Sequence, residues 1–175
     1  MRKLFAILIV TSVAVAAIAG LGGCSVIGCT ENQNSIPLAG FYSSTDGKGI
    51  TIDSIAVGGV DAPDDSLLLR PNQRAGQVYL PLRSNKPSTA FYFKYRQKLL
   101  AEQDIEDVIL IDYESIPWFA SEDCGAMYYY HITSLQYSRN IIDSVAITVD
   151  DSIIRNIERE YLRIYFRTST PDPNS

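Results

Sequence analysis

The sequence predicts an all-β domain: a two-sheet antiparallel sandwich, immunoglobulin-like or similar, of about eight strands. Three observations carry this. Apolar residues alternate with more polar ones at period two in several segments. Clusters of turn-forming residues separate those segments. Only residues 96–104 are rich enough in helix formers to hold a helical turn, at most one short one. In order along the chain, Val78, Leu80 and Leu82 alternate with Tyr79 and Pro81, and Phe91, Phe93 and Tyr95 alternate with Tyr92 and Lys94. Residues 108–111 are apolar on both faces, which suits a central strand or a short buried helix. Leu162, Ile164 and Phe166 alternate with Arg163 and Tyr165. Turns are expected at 45–49, 58–65, 83–87 and 138–140.

The chain has 175 residues, and 46% of them are apolar, too many for a disordered polymer. One domain of this size can withdraw roughly 70% of its unfolded surface from water, so a core forms without metal or a dense disulfide framework. Twenty Asp and Glu outweigh 15 Lys and Arg, a formal charge of −5 that argues against a nucleic-acid partner. A single His removes most metal and His-base chemistry from consideration.

The amino terminus carries the most specific signal. Arg2 and Lys3 precede an apolar run over 4–19 that is short for a transmembrane helix and ends in small residues, as a secretory signal does. Leu21, Gly22, Gly23 and Cys24 then match a lipobox, in which the Cys thiol is the acyl acceptor after cleavage before it. Val26, Ile27, Gly28 and Cys29 fit the same pattern, but Cys24 lies nearer the end of the apolar run and is favoured. The expected organisation is a signal peptide over 1–23, a lipidated tether over 24–34, the sandwich over 35–168 and a disordered tail over 169–175. Cleavage would leave 152 residues with 13 basic and 20 acidic side chains, a formal charge of −7. No basic cluster assists membrane binding, so the lipid itself is the expected anchor.

With Cys24 lipidated, Cys29 and Cys124 remain. In an exported, oxidising compartment they form a candidate disulfide, the alternative being two unpaired buried thiols. A bridge between positions 95 residues apart would stabilise by about 2–4 kcal/mol. A catalytic role for Cys124 is disfavoured, because Glu122 and Asp123 precede it and would raise its pKa.

An internal echo is visible. Ile52-Asp53-Ser54-Ile55-Ala56-Val57 recurs as Ile142-Asp143-Ser144-Val145-Ala146-Ile147, and Asp64-Asp65-Ser66-Leu67-Leu68 as Asp150-Asp151-Ser152-Ile153-Ile154. A duplication predicts two superposable strand-turn-strand units; otherwise the echo reflects how often Asp and Ser interrupt apolar strand residues.

Catalytic chemistry finds no catalytic residues and no cofactor. His131 follows three tyrosines and, in a strand, shares a face with Tyr129 and Thr133, while Tyr128, Tyr130 and Ile132 take the other. No nucleophile motif or second His completes a site around it. The pairs Asp64, Asp65 and Asp150, Asp151 offer oxygen donors but no EF-hand loop, so no metal site is expected. Asp46-Gly47-Lys48-Gly49 lacks P-loop spacing and reads as a hairpin turn. Trp118, between Pro117 and Phe119, reads as a core or rim anchor. Tyr79, Tyr92 and Tyr165 fall on the polar sides of their strands; with Tyr129 and His131 they form a candidate interaction face.

Taken together, the Cys24 lipobox, Cys29, Leu80-Pro81-Leu82, Cys124, the Tyr128–Ile132 stretch with His131, Ile142-Asp143-Ser144-Val145 and Leu162-Arg163-Ile164-Tyr165-Phe166 resemble a family of small lipoproteins of unknown function from Bacteroides-type Gram-negative bacteria. The resemblance spans residues 24–167. It implies a disulfide-tethered β-sandwich in the cell envelope and supplies no catalytic residues. By analogy, Ser25 in place of an Asp favours the outer membrane, and the absence of an acidic cluster over 25–30 favours its periplasmic leaflet. The expected function is a non-enzymatic interaction or structural module, with an outer-membrane protein as a candidate partner. The alternative is a glycan- or small-ligand-binding accessory lipoprotein.

Overall fold

Strand β7 (Ser88–Tyr95) shows how the alternation builds the fold: Thr89, Phe91, Phe93 and Tyr95 are buried while Ser88, Ala90, Tyr92 and Lys94 are partly open. Side chains of a strand leave it on opposite faces, so one face enters the core and the other meets solvent. The same rule buries Leu162, Ile164 and Phe166 of β12 (Glu160–Phe166) and leaves Arg163 exposed. The computed structural model describes residues 35–97, 101–122, 124–155 and 159–168. The segments expected to be signal peptide, tether and tail lie outside the described residues.

Two sheets form the sandwich. The four-stranded sheet has the order β10 (Ile142–Ile147), β12, β1 (Leu38–Ser43) and β6 (Gln77–Tyr79). The six-stranded sheet has the order β11 (Ile153–Ile154), β9 (Gly125–Tyr137), β8 (Glu106–Ser121), β7, β3 (Ile55–Gly59) and β4 (Leu67–Leu69). A small pair, β2 (Ile52–Asp53) with β5 (Arg74–Ala75), stands apart from both. Phe41, Leu162, Ile164 and Phe166 from one sheet and Phe91, Phe93, Ile109 and Ile111 from the other are at most 1% exposed and belong to a single core cluster.

The all-β sandwich agrees with the expectation, with three differences of detail. The additional strands have two or three residues each, too short for a periodic signal. One pair is parallel: β1 runs alongside β12 from Ala39↔Leu162 to Ser43↔Phe166. Pairing between chain segments so far apart leaves no local trace. Residues 108–111 do lie in a central strand, β8 between β9 and β7, but only one face is fully buried: Ile109 and Ile111 face the core, while Val108 and Leu110 are only partly covered. Near the expected helical turn, the Ala101 N–H donates to Gln97 O at 2.8 Å. A 3-10 turn at Pro63–Asp65 starts with the proline that favours such a position.

The echo is not a duplication. In its first copy β3 and β4 pair with each other; in its second, β10 joins the four-stranded sheet and β11 the six-stranded one. Backbone geometry differs as well. Ser54 adopts a left-handed φ of 60° between β2 and β3, whereas its counterpart Ser144 lies inside β10.

Four of the eleven tyrosines, Tyr95, Tyr113, Tyr130 and Tyr161, are buried. Tyr95, Tyr113 and Tyr161 are at most 3% exposed. Each hydroxyl ties a loop or strand end: Tyr95 to Asp107, Tyr113 to Thr89 and both backbone groups of Arg83, and Tyr161 to both backbone groups of Arg155. A buried ring with a bonded hydroxyl supplies apolar area and a fixed anchor together. Gly58 faces Tyr92 across β3 and β7, and a Cβ there would come 2.5 Å from the Tyr92 hydroxyl. The ring covers the glycine, so a larger residue there would have to displace the Tyr92 side chain.

Candidate functional site

The most constrained polar group is Asp107, a position that sequence reasoning missed. It lies on β8 in phase with Ile109, Ile111 and Tyr113, so its carboxylate points into the core and is fully buried. One oxygen accepts from Ser138 Oγ at 2.6 Å and Asn140 N at 2.8 Å. The other accepts from Tyr95 Oη at 2.9 Å, Ile141 N at 2.8 Å and Ile142 N at 2.9 Å. Burial pushes the Asp107 carboxyl up, but the hydrogen bonds from Ser138 and from the N–H groups of Ile142, Asn140 and Ile141 outweigh it and hold it below the usual carboxylate range. Burial and the neighbouring Asp107 charge push the Tyr95 phenol far above its ordinary value. Every acceptor site is taken by a structural donor, so the group clamps the crossover from β9 to β10. The available signal was an acidic residue at a core position of an apolar strand.

On the outer face of the four-stranded sheet, Tyr42 Oη donates to Glu160 Oε2 at 2.8 Å, and Arg163 Nε donates to Glu160 Oε1 at 2.7 Å. The Arg163 guanidinium lies 5.0 Å from the Tyr42 ring centroid, and Tyr42 meets Tyr165 at 5.7 Å. The bond to Glu160, with some burial and its negative charge, raises the Tyr42 phenol.

The candidate interaction face divides between two surfaces. Tyr79 and Tyr165 lie on the four-stranded sheet; Tyr92, Tyr129 and His131 lie on the six-stranded one. Because inward neighbours of all five belong to the shared core, their outer faces point away from each other and no single platform forms. His131 Nδ1 stands 3.9 Å from Glu114 Oε2, with side-chain exposures of 42% and 75%. His131→Gln should therefore shift the unfolding free energy by no more than about 0.5 kcal/mol in a urea titration.

Tyr128 and Trp118 both stand at the rim, for Trp118 one of the two places expected. Tyr128 does not share the inward face of Tyr130: it is 41% exposed, while Met127 is 4% exposed. Beyond Asp112, β8 has left β7 and pairs only with β9; a two-stranded ribbon twists strongly, and its inward side changes along its length. Trp118 is 44% exposed and stacks on Tyr129, ring centroids 5.3 Å apart, rather than entering the core. Cys124 occupies the turn of this ribbon, its N–H donating to Ser121 Oγ at 3.1 Å. Cys24 and Cys29 lie outside the described residues.

Among the concave regions of the described residues, two bear on binding. A cleft of about 610 Å³ at one end of the sandwich is lined by Ile52, Tyr95, Gln97, Ile141, Phe166 and Arg167 among others. Gln97 Oε1 is buried there without a hydrogen-bond partner, while its Nε2 donates to Asp53 O. A groove of about 330 Å³ runs between the edge strands β4 and β6, lined by Ile36, Leu68, Leu69, Val78, Tyr79 and Pro81. Among the described residues no group of three or more His, Cys, Asp or Glu is placed to hold a metal ion.

These features define a β-sandwich domain with a clamped polar interior and apolar residues displayed on strand edges and on one ribbon. The chain belongs to a family of unknown function, DUF6452, whose model matches residues 54–166, from β3 to the end of β12. No curated protein and no solved structure matches it.

Proposed function

We propose that this chain is a lipid-anchored envelope protein whose sandwich is a non-enzymatic interaction module in the periplasm, attached to the outer membrane through Cys24. The lipobox supports the anchor. The observation that carries the interaction reading is the open side of the sandwich. There β4 ends one sheet and β6 ends the other, and Leu67, Leu68 and Tyr79 are 40%, 36% and 42% exposed. Edge strands are ordinarily blunted by charge or covered, because unpaired backbone groups recruit further strands. An extended partner segment, such as one from an outer-membrane protein, would add to such an edge and place alternate side chains in the Leu69–Tyr79 groove. The Cys29–Cys124 bridge belongs to the same reading, supported by Cys124 not being a free thiol.

A photo-crosslinking residue at position 68 in intact envelopes should yield one discrete adduct, weakened by Leu67→Lys and by Cys24→Ala. Adduct formation indifferent to both substitutions would sink the interaction reading. The ligand-binding alternative is favoured by the 610 Å³ cleft with its orphan Gln97 Oε1. Its aromatic lining residues, Tyr95 and Phe166, are 2% and 1% exposed and offer no stacking platform. Saturable glycan binding abolished by Gln97→Leu would establish that alternative instead.

A further inference from the structure

Among the described residues, eight large apolar side chains are exposed, and four of them, Ile116, Trp118, Phe119 and Tyr128, lie on the β8–β9 ribbon. Phe119 is the most open at 66%. The cross-strand register pairs Ile116 with Tyr129 and Trp118 with Met127, and on the opposite side Pro117 with Tyr128 and Phe119 with Ala126. Successive residues of a strand point to opposite faces, so the ribbon displays apolar groups on both. A protein partner docking on a sheet covers one face. A surrounding medium covers two.

The ribbon also lies where the chain arrives from its amino-terminal segment. Ser35 Oγ donates to Tyr128 O at 2.5 Å. From Cys24 to Ser35 an extended chain spans at most about 36–40 Å. If Cys29 pairs with Cys124 in the ribbon turn, the distance from Cys24 shrinks to about 18 Å of chain plus roughly 6 Å across the bridge. Trp, Tyr and Phe are the residues that settle at the boundary between headgroups and acyl chains. Residues 113–130 contain no Lys or Arg but carry Glu114, Glu122 and Asp123. That charge disfavours an anionic surface and suits headgroups carrying an ammonium donor.

We propose that the β8–β9 ribbon, through Ile116, Trp118, Phe119 and Tyr128, enters the interfacial layer of the bilayer that holds the Cys24 lipid. The membrane it meets is rich in phosphatidylethanolamine or a similar zwitterionic lipid. The inference rests on the lipid-anchor reading and adds a second, protein-made contact that fixes how the sandwich stands on the membrane. The edge formed by β4 and β6 then keeps a defined orientation instead of swinging on a flexible tether.

Trp118 is the only tryptophan in the chain, so its fluorescence reports on this ribbon alone. The full chain, purified in its lipidated form, is reconstituted into phosphatidylethanolamine/phosphatidylcholine vesicles with and without brominated acyl chains. Expected are a blue-shifted emission, quenching by the brominated lipid of about twofold, and protection from aqueous acrylamide relative to the unlipidated protein made without residues 1–24. Phe119→Ser, checked for an unchanged thermal melt, should reduce the lipid quenching while the protein still floats with the vesicles. Flotation without lipid quenching overturns the inference and leaves the anchor standing. Failure to float overturns both. Protection that grows with protein density, accompanied by crosslinked dimers and no bromolipid quenching, assigns the ribbon to a second copy of the chain and also overturns it.

Discussion

Asp107→Ala should lower the unfolding free energy by about 3–5 kcal/mol, read as a fall in the urea midpoint at unchanged slope. The substitution leaves five donors facing an empty site: the hydroxyls of Tyr95 and Ser138 and the N–H groups of Asn140, Ile141 and Ile142. Asp107→Asn keeps the shape but turns an amide NH2 towards a donor, so it should cost about 2 kcal/mol rather than being neutral. Ser138→Ala removes one of the five bonds to the carboxylate and should cost about 1 kcal/mol. Loss of the clamp frees the start of β10, so amide exchange should quicken first at Ile141 and Ile142.

The same group makes stability depend on pH with a defined sign. The folded carboxyl titrates below its unfolded value, so its contribution is fully present above about pH 4 and is lost as pH falls through the lower, folded value. Wild type should therefore lose more stability than Asp107→Asn on acidification below about pH 4. Parallel acid limbs in the two proteins would count against the clamp.

Phe166→Ala should cost about 3–5 kcal/mol by the same urea assay. The ring is 1% exposed and stands edge-on to Phe41 at 5.2 Å within its own sheet and to Tyr95 at 6.5 Å across the interior. Truncation removes contacts that hold the two sheets together and enlarges the cleft whose wall Phe166 forms. Phe166→Leu, which conserves more volume, should cost about 1–1.5 kcal/mol. Tyr95 touches both Phe166 and Asp107, so the two alanine substitutions should combine non-additively, with a coupling of about 0.5–1 kcal/mol in a double-mutant cycle.

What was legible before folding follows from period two. The strands containing Phe91, Phe93 and Tyr95, and Leu162, Ile164 and Phe166, bury the side chains their alternation assigns inward. Turn chemistry similarly placed the break at 138–140, where the structure sets the Ser138 and Asn140 bonds to Asp107. Of the ribbon, the 128–132 stretch read as a strand, now part of β9, but its partner did not. Pro117, acidic neighbours and a run of aromatics look like a loop, yet β8 continues through Ser121 because β9 pairs with it along its whole length. A proline is tolerated there because, past Asp112, that part of β8 is an edge.

The sequence by itself determined the all-β class and which strand faces are apolar, because each depends on residues close together in the chain. Only the tertiary structure decided that the echoed segments enter different sheets and that β1 lies parallel to β12. It also decided that Asp107 is a clamp, and that the five residues of the candidate face fall on two surfaces. Those outcomes depend on which strands become neighbours. Strand pairing is fixed by the packing of one core from segments more than a hundred residues apart, such as Phe41 with Phe166, and local patterns of side chains carry no record of it.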